Sequence, residues 1–364
     1  MTANGPPLIL PGKMIGIIGG GQLGRMLILA AARLGYRSCV LCPDPGAPAV
    51  QVATQHVAGD YTDVEAITAF TDCIEVATYE FENIPAETVA QIARTKPIAP
   101  AVKALEVAQD RLIEKQFIQN LGIEVAPFQD IASLPDLKQA LETIGAPGII
   151  KTRRFGYDGK GQRAVKPDQS IEDIWADFDG IPAIYEGFVD FACEISVMVV
   201  RDHSGHTVTY PPGINEHRNH ILYRTTVPAK IDATTADVAA TAAQKVAEAL
   251  SYVGTLGVEM FVRADGSLVV NEIAPRVHNS GHWTLEGAQT DQFENHIRAI
   301  TGLPLGDTRL LGPTQMMNLI GEDVCSLDAY LSDPSATLHL YGKDEPRAGR
   351  KMGHVTRRLK WPQA

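Results

Sequence analysis

With 364 residues, the chain is long enough for two or three domains with real cores. Its 45% hydrophobic and 21% charged residues are ordinary for a globular enzyme. A net charge of −11 argues against a general nucleic-acid or membrane-surface binder but leaves room for a local basic pocket for a phosphorylated small molecule, and no apolar run approaches membrane-spanning length.

Met1 to Lys13 lacks a basic start and has only Leu8-Ile9-Leu10 as an apolar core, so a signal peptide is not expected. Met14 to Ile18 then reads as a strand, Gln22 to Leu34 as a helix, and Ser38 to Cys42 as a second strand. Ile74 to Thr78 is a further strand, and Pro85 opens a helix. This alternation predicts an open parallel α/β sheet. Lys96 to Pro100 looks like the end of that domain, and a helix with Asp110 near its start leads to Asn120. The stretch from Ala126 to Val189 is mixed, with strands at Gly148 to Thr152 and Ile184 to Val189 and a glycine-rich hairpin from Arg153 to Gln162. From Glu194 strands dominate, apart from a long helix at about Ala233 to Tyr252, and a compact tail begins near Val324. Five cysteines, odd and sparse, fit a reducing cytoplasm. Cys39 and Cys42 form a C-x-x-C inside a strand, where an odd offset sends the two side chains to opposite faces.

Four stretches can carry chemistry. Gly19-Gly20-Gly21-Gln22-Leu23-Gly24 follows a strand, opens a helix and matches G-x-G-x-x-G, with Asp44 twenty residues on. Alone it permits a nicotinamide-dependent oxidoreductase. The same loop can cradle any phosphate, or be a tight turn with no ligand. Arg153 to Gln162 surrounds one turn with three glycines and three basic residues, beside Lys151, and suits a loop that closes over a nucleotide. A flexible surface hairpin would also be rich in Gly and Lys. Lys343 to His354 gathers five basic side chains, as a phosphate grip does and as many a solvated turn does.

The most informative stretch is Asn271-Glu272 followed by Arg276-Val277-His278-Asn279-Ser280-Gly281. Asp265-Gly266 signals a two-residue hairpin turn. If Ala264 pairs with Ser267, Glu259 faces Glu272. Like charges directly opposite destabilise a sheet, unless a cation such as Mg²⁺ lies between them. Asn271 falls on the other face of an ideal pleat. A cation beside a loop of polar and cationic donors is the equipment for phosphoryl transfer; an isolated pair would read more plainly as two glutamates on a solvated face, and the adjoining loop weakens that reading.

Together these residues resemble the N5-carboxyaminoimidazole ribonucleotide synthetases of the ATP-grasp superfamily. The likeness runs from about Ile15 to His354 and rests on Gly19 to Met26, Thr78 to Asn83, Gly156 to Gln162, Asn271 to Trp283 and Gly349 to His354. The sibling formate-dependent glycinamide ribonucleotide transformylases are similar in architecture but lack the Tyr-Asp in the loop and the Val-His-Asn-Ser after the arginine. The resemblance implies an open parallel α/β domain (1–100), an ATP-grasp module with a small lobe after linker helices (101–195) and a large lobe (196–323), and a small C-terminal segment (324–364). It implies ATP, and Mg²⁺ in one or two copies with Mn²⁺ as a substitute. It also implies cytoplasmic chemistry on small molecules, without nucleic acid or membrane, by a homodimer. Bicarbonate would be phosphorylated to carboxyphosphate, and the amine of aminoimidazole ribonucleotide would take up the carboxyl group.

Residue by residue, the resemblance assigns ATP contacts to Arg111, Lys151, Gly156, Tyr157, Asp158, Gly159, Lys160, Gly161, Gln162, Glu186, Gly187, Phe188, Val189, Glu194, His217, Asn271 and Glu272. It assigns metal ligation to Glu259 and Glu272. Substrate contacts fall on Gly20, Gln22, Glu80, Tyr157, Asp158, Arg276, His278, Asn279, Ser280, Lys343 and Arg350. Arg276 would stabilise bicarbonate and carboxyphosphate, and Asp158 would handle the proton of the attacking amine. His220 stands where the family often has glycine, which questions the local turn. The chain ends soon after His354, so no family contact from a longer tail transfers. A non-catalytic nucleotide-binding regulator on the same fold is the remaining alternative.

Overall fold

A computed structural model describes residues 8–156 and 159–360. Four parallel strands lie in the order Gln55–Ala58, Arg37–Cys42, Met14–Ile18, Val76–Tyr79. Every residue of Met14–Ile18 is buried, as a parallel strand covered on both faces must be. Helix Gln22–Arg33 packs on one face together with Cys42, and helix Val64–Cys73 on the other together with Cys39. The C-x-x-C is therefore split across the sheet, as its odd offset predicts. The strand expected from Ile74 begins at Val76, because Ile74 serves as the C-cap of the preceding helix.

A second sheet is antiparallel, in the order Phe128–Ile131, Ala183–Gly187, Gly148–Thr152, Gln162–Val165. The strand expected to reach Val189 ends at Gly187, and Phe188 is half exposed beyond it. The third sheet has nine strands. Its main path runs Leu268–Ala274, Gly254–Val262, Cys193–Arg201, Gly213–Arg218, Ile221–Val227, Thr314–Ile320, Lys351–Arg358, Ala336–Leu340. The tail strands thus continue the large sheet. Asn219 and His220, with φ of 50° and 65°, form the turn of the hairpin Gly213–Val227. Two left-handed residues in a row are the geometry of a type I′ turn, so His220 accepts the conformation a glycine would take.

Helix Ala233–Ala249 covers one face of the large sheet and stops short of the expected Tyr252. A second helix, Gln292–Thr301, was not expected from the strand-rich pattern. Asp291 caps its start and Gly302 ends it in the left-handed region. Its Phe293, Ile297 and Ile300 share one core with Leu27 and Ile28, which fastens the first domain to the large sheet. No helix among the described residues is long and apolar enough to cross a membrane.

Candidate active site

Gly21 is the N-cap of helix Gln22–Arg33 and brings no side chain to it. The Gly21 and Gly24 amides instead donate to the two oxygens of Glu80, at 2.6 and 3.1 Å. Glu80 stands just after the neighbouring strand Val76–Tyr79 and is buried. Burial pushes its carboxyl up, and the two amides pull against that. A helix N-terminus favours an anion. Here the anion is the protein's own carboxylate, so the amides that would cradle a dinucleotide's pyrophosphate are already engaged. A Cβ on Gly21 would lie 2.6 Å from Glu80 Oε1, which explains the glycine. Asp44, twenty residues beyond the glycine motif, accepts from the Gly46 amide. The oxidoreductase reading loses its physical basis.

Glu259 does face Glu272, by a route different from the expected one. The turn is a three-residue loop, closed by Arg263 N–H on Ser267 O and ending on Gly266 at φ +83°. That register alone would set Glu259 opposite Asn271. A bulge between Glu259 and Met260 lets two residues, Asn271 and Glu272, oppose one. Strict alternation is lost there, and both residues are half-buried.

On one side of this pair lies a buried charge cluster. Arg111 opens the helix Arg111–Asn120 and donates to Glu272 at 3.0 Å and to the Gly156 carbonyl at 3.4 Å. Lys151 and Lys115 share Glu186 Oε2 at 2.9 and 3.4 Å, and Lys115 also donates to the Asn271 carbonyl. Burial pushes Glu186 up, but the two lysines outweigh it and hold the carboxyl at about 2. Its buried Oε1 has no hydrogen-bond partner among the described residues. Burial lowers Lys151, with Glu186 opposing. Glu114, on the same helix face as Arg111 and Lys115, accepts from the Ile273 amide at 2.7 Å. Burial and then Glu272 push it up to about 8. Farther along, His217 pairs with Glu194 at 2.9 Å, which raises the imidazole against its burial.

On the other side, the Arg276 guanidinium grips Glu82 through two hydrogen bonds, Nε to Oε2 and Nη2 to Oε1. Burial works against ionising Glu82, yet Arg276 holds it at about 2. Burial and Arg276 lower His278 to about 3, so the ring is neutral. Its Nδ1 accepts from the Ser280 amide, and Nε2 faces Glu259 Oε1 at 3.5 Å. Gln292 holds this loop by exchanging hydrogen bonds with the His278 backbone at 2.9 and 2.8 Å. Asn279 and Asn318 exchange side-chain amide hydrogen bonds at 2.9 and 2.7 Å. Lys343 is felt by Glu80 and donates to the Lys351 carbonyl, while Arg350 donates to the Glu345 carbonyl. Gly20 and Gln22 lie at the glycine turn. Gly159, Lys160, Gly161 and Gln162 form the far arm of the glycine hairpin, where the Gly161 carbonyl accepts from Thr152 N–H. Tyr157 and Asp158 lie outside the described residues.

The carboxylate pair therefore sits between Arg111 and His278. Burial, followed by repulsion from Glu272, raises Glu259, while Arg111 outweighs burial and lowers Glu272. Two like charges that resist joint ionisation fit a cation held between them. Among the described residues no group of three acidic, histidine or cysteine ligands forms a metal cage. A facing pair of carboxylates could hold Mg²⁺, which takes one or two carboxylates and completes its shell with phosphate and water oxygens. Glu82, Gln109, Glu114, Lys115, Gln292 and Asn318 were not read from sequence. Glu82 lay within the Thr78–Asn83 motif without a role of its own, and Glu114 and Lys115 had a signal in charges at i+3 and i+4 from Arg111.

Three family models match the chain in series. These are a ribonucleotide synthetase preATP-grasp domain (12–109), an ATP-grasp domain (116–293) and a phosphoribosylaminoimidazole carboxylase C-terminal domain (314–360). The N5-carboxyaminoimidazole ribonucleotide synthase of Brucella melitensis is 50% identical over 349 residues, covering 95% of this chain and 96% of that protein. That of Bacillus subtilis is 43% identical over 96% and 92%. The Staphylococcus aureus N5-carboxyaminoimidazole synthetase complexed with ADP superposes with a TM-score of 0.94 at 38% identity, over 98% and 95% of the two chains. The Aspergillus clavatus synthase in complex with ADP and 5-aminoimidazole ribonucleotide gives 0.88 at 31%, over 95% and 94%. With this fold, this site and these relatives, the chain belongs to the N5-carboxyaminoimidazole ribonucleotide synthase family.

Proposed function

We propose that the two sides of the Glu259–Glu272 pair hold the two halves of one reaction. The chain is an ATP-dependent carbon–nitrogen ligase of purine biosynthesis, which carboxylates 5-aminoimidazole ribonucleotide with bicarbonate. A bicarbonate oxygen attacks the γ-phosphorus of ATP, ADP leaves, and carboxyphosphate forms. The exocyclic amine of the ribonucleotide then attacks the carboxyl carbon, the carbon–oxygen bond to phosphate breaks, and the amine gives up a proton. The products are the N5-carbamate, ADP and phosphate.

Arg111, Lys151 and the Gly156–Gln162 loop receive the triphosphate, with Glu186 to Val189, Glu194 and His217 around the nucleoside. Mg²⁺, held by Glu259 and Glu272 with Asn271 beside them, would neutralise phosphate charge, and Mn²⁺ would substitute for it. Arg276, locked by Glu82, faces the developing charge on carboxyphosphate, and Asp158 takes the proton. Gly20, Gln22, Glu80, His278, Asn279 and Ser280 hold the ribonucleotide, with Lys343 and Arg350 on its phosphate. Positioning and charge neutralisation carry such a transfer. The reading extends to a homodimer and a cytoplasmic location, both taken from the family resemblance.

One observation carries this reading: the carboxylate pair touches Arg111 on one flank and faces His278 on the other. The experiment is phosphate release from MgATP and bicarbonate, with and without aminoimidazole ribonucleotide. Strong dependence on the ribonucleotide is expected. Faster turnover with glycinamide ribonucleotide and formate would refute the assignment.

A further inference from the structure

Gln109 follows the helix Val102–Ala108 and is almost fully buried. Its Nε2 donates to the carbonyls of Glu82 and Ile84 at 2.7 and 2.6 Å. Its Oε1 accepts from Arg154 Nη2 at 2.9 Å. The amide orientation follows from the partners, since carbonyls accept only and a guanidinium donates only. One side chain thus ties the segment after Val76–Tyr79 to the base of the glycine hairpin. The next two residues repeat the pattern. Asp110 takes Arg153 through hydrogen bonds of 3.0 and 2.7 Å, and Arg111 joins Glu272 to the Gly156 carbonyl. Glu82, whose backbone Gln109 holds, is the residue that locks Arg276.

We propose that Gln109 and Glu82 are positioning residues that make the seating of the glycine loop and the placement of Arg276 depend on each other. The inference rests on the function proposed above. If ATP is cleaved while Arg276 is out of place, carboxyphosphate forms and is lost to water instead of meeting the amine. The relay therefore governs how much carbamate forms per ATP cleaved, more than how well ATP binds.

The test compares the full-length chain with Q109E, Q109M and R154M. Carbon from labelled bicarbonate fixed on the ribonucleotide is measured after an alkaline quench, which preserves carbamates, and divided by phosphate released. Q109E keeps an acceptor for Arg154 but cannot donate to the Glu82 and Ile84 carbonyls. R154M changes only an exposed side chain and keeps those donors. The wild-type ratio is expected near one, and all three variants should fall by about twofold or more with little change in KM for ATP. Thermal melting checks that each variant folds. A ratio still near one in folded Q109E or in R154M, even with a lower kcat, overturns the relay. A wild-type chain that fixes no bicarbonate refutes the proposed function itself.

Discussion

Glu272 meets two neighbours of opposite demand, the Arg111 guanidinium and the Glu259 carboxylate. Replacing it by alanine removes half of the proposed metal site and leaves Arg111 without its carboxylate. Turnover of Glu272→Ala is expected to fall by about 10²-fold or more, roughly 3 kcal/mol of lost charge stabilisation. Unchanged kcat at saturating Mg²⁺ would remove Glu272 from the metal site. Lys343 acts on Glu80, the carboxylate held at the glycine turn. Lys343→Ala should raise KM for the ribonucleotide about 10-fold, as the loss of one charged hydrogen bond does, and spare KM for ATP. Steady-state kinetics varying each substrate in turn measure that split. At this scale the sequence was partly legible. The two strands of the glutamate pair could be found because strand pattern is local, their facing register only because a longer turn and a bulge offset each other, and the Asn271–Gly281 stretch because its residue types are unusual together. Glu82 could not be assigned a partner, because Arg276 is 194 positions away and no spacing rule reaches that far.

Whole elements explain two departures from expectation. The hairpin from Gly254 to Ala274 reaches the foreseen Glu259–Glu272 pairing through a three-residue loop and a compensating bulge. Turn length and bulge each shift the register by one, so their effects cancel at the site but not between it and the turn. Helix Gln292–Thr301 was overlooked because its buried face includes Gln292, Asn295 and His296, which do not read as core. Those polar groups have specific partners. His296 Nδ1 accepts from Thr255 N–H at 3.1 Å, so Nε2 carries the proton toward Thr78 Oγ1 at 2.8 Å, across to the first domain. Burial lowers this imidazole from 6.5 to about 3. The unfolded chain thus binds the proton first as pH falls, and stability from this group declines below pH 6.5 until about pH 3. Between pH 7 and pH 5 the share is on the order of 2 kcal/mol. Urea midpoints at the two pH values should differ less for His296→Gln than for the wild type. Equal pH dependence in both would show that this ring is not neutral in the fold.

At the level of the molecule, three sheets converge on a site that none of them completes. The parallel sheet supplies Glu80 and Glu82 from the end of one strand, the four-stranded antiparallel sheet Lys151 and Glu186, and the nine-stranded sheet the carboxylate pair. The parallel α/β start was readable from alternation, and the two-lobed arrangement only from resemblance, since antiparallel order depends on pairings that local pattern does not encode. The union of the tail strands with the large sheet brings Lys343 toward Glu80. The chemistry expected at this meeting point is direct transfer of the γ-phosphoryl group to bicarbonate. Supplying bicarbonate labelled with ¹⁸O, together with MgATP and aminoimidazole ribonucleotide, and recording the mass of the released phosphate tests it most directly. Each phosphate should carry one labelled oxygen from bicarbonate; unlabelled phosphate, its new oxygen drawn from water, would contradict a shared site for nucleotide and bicarbonate.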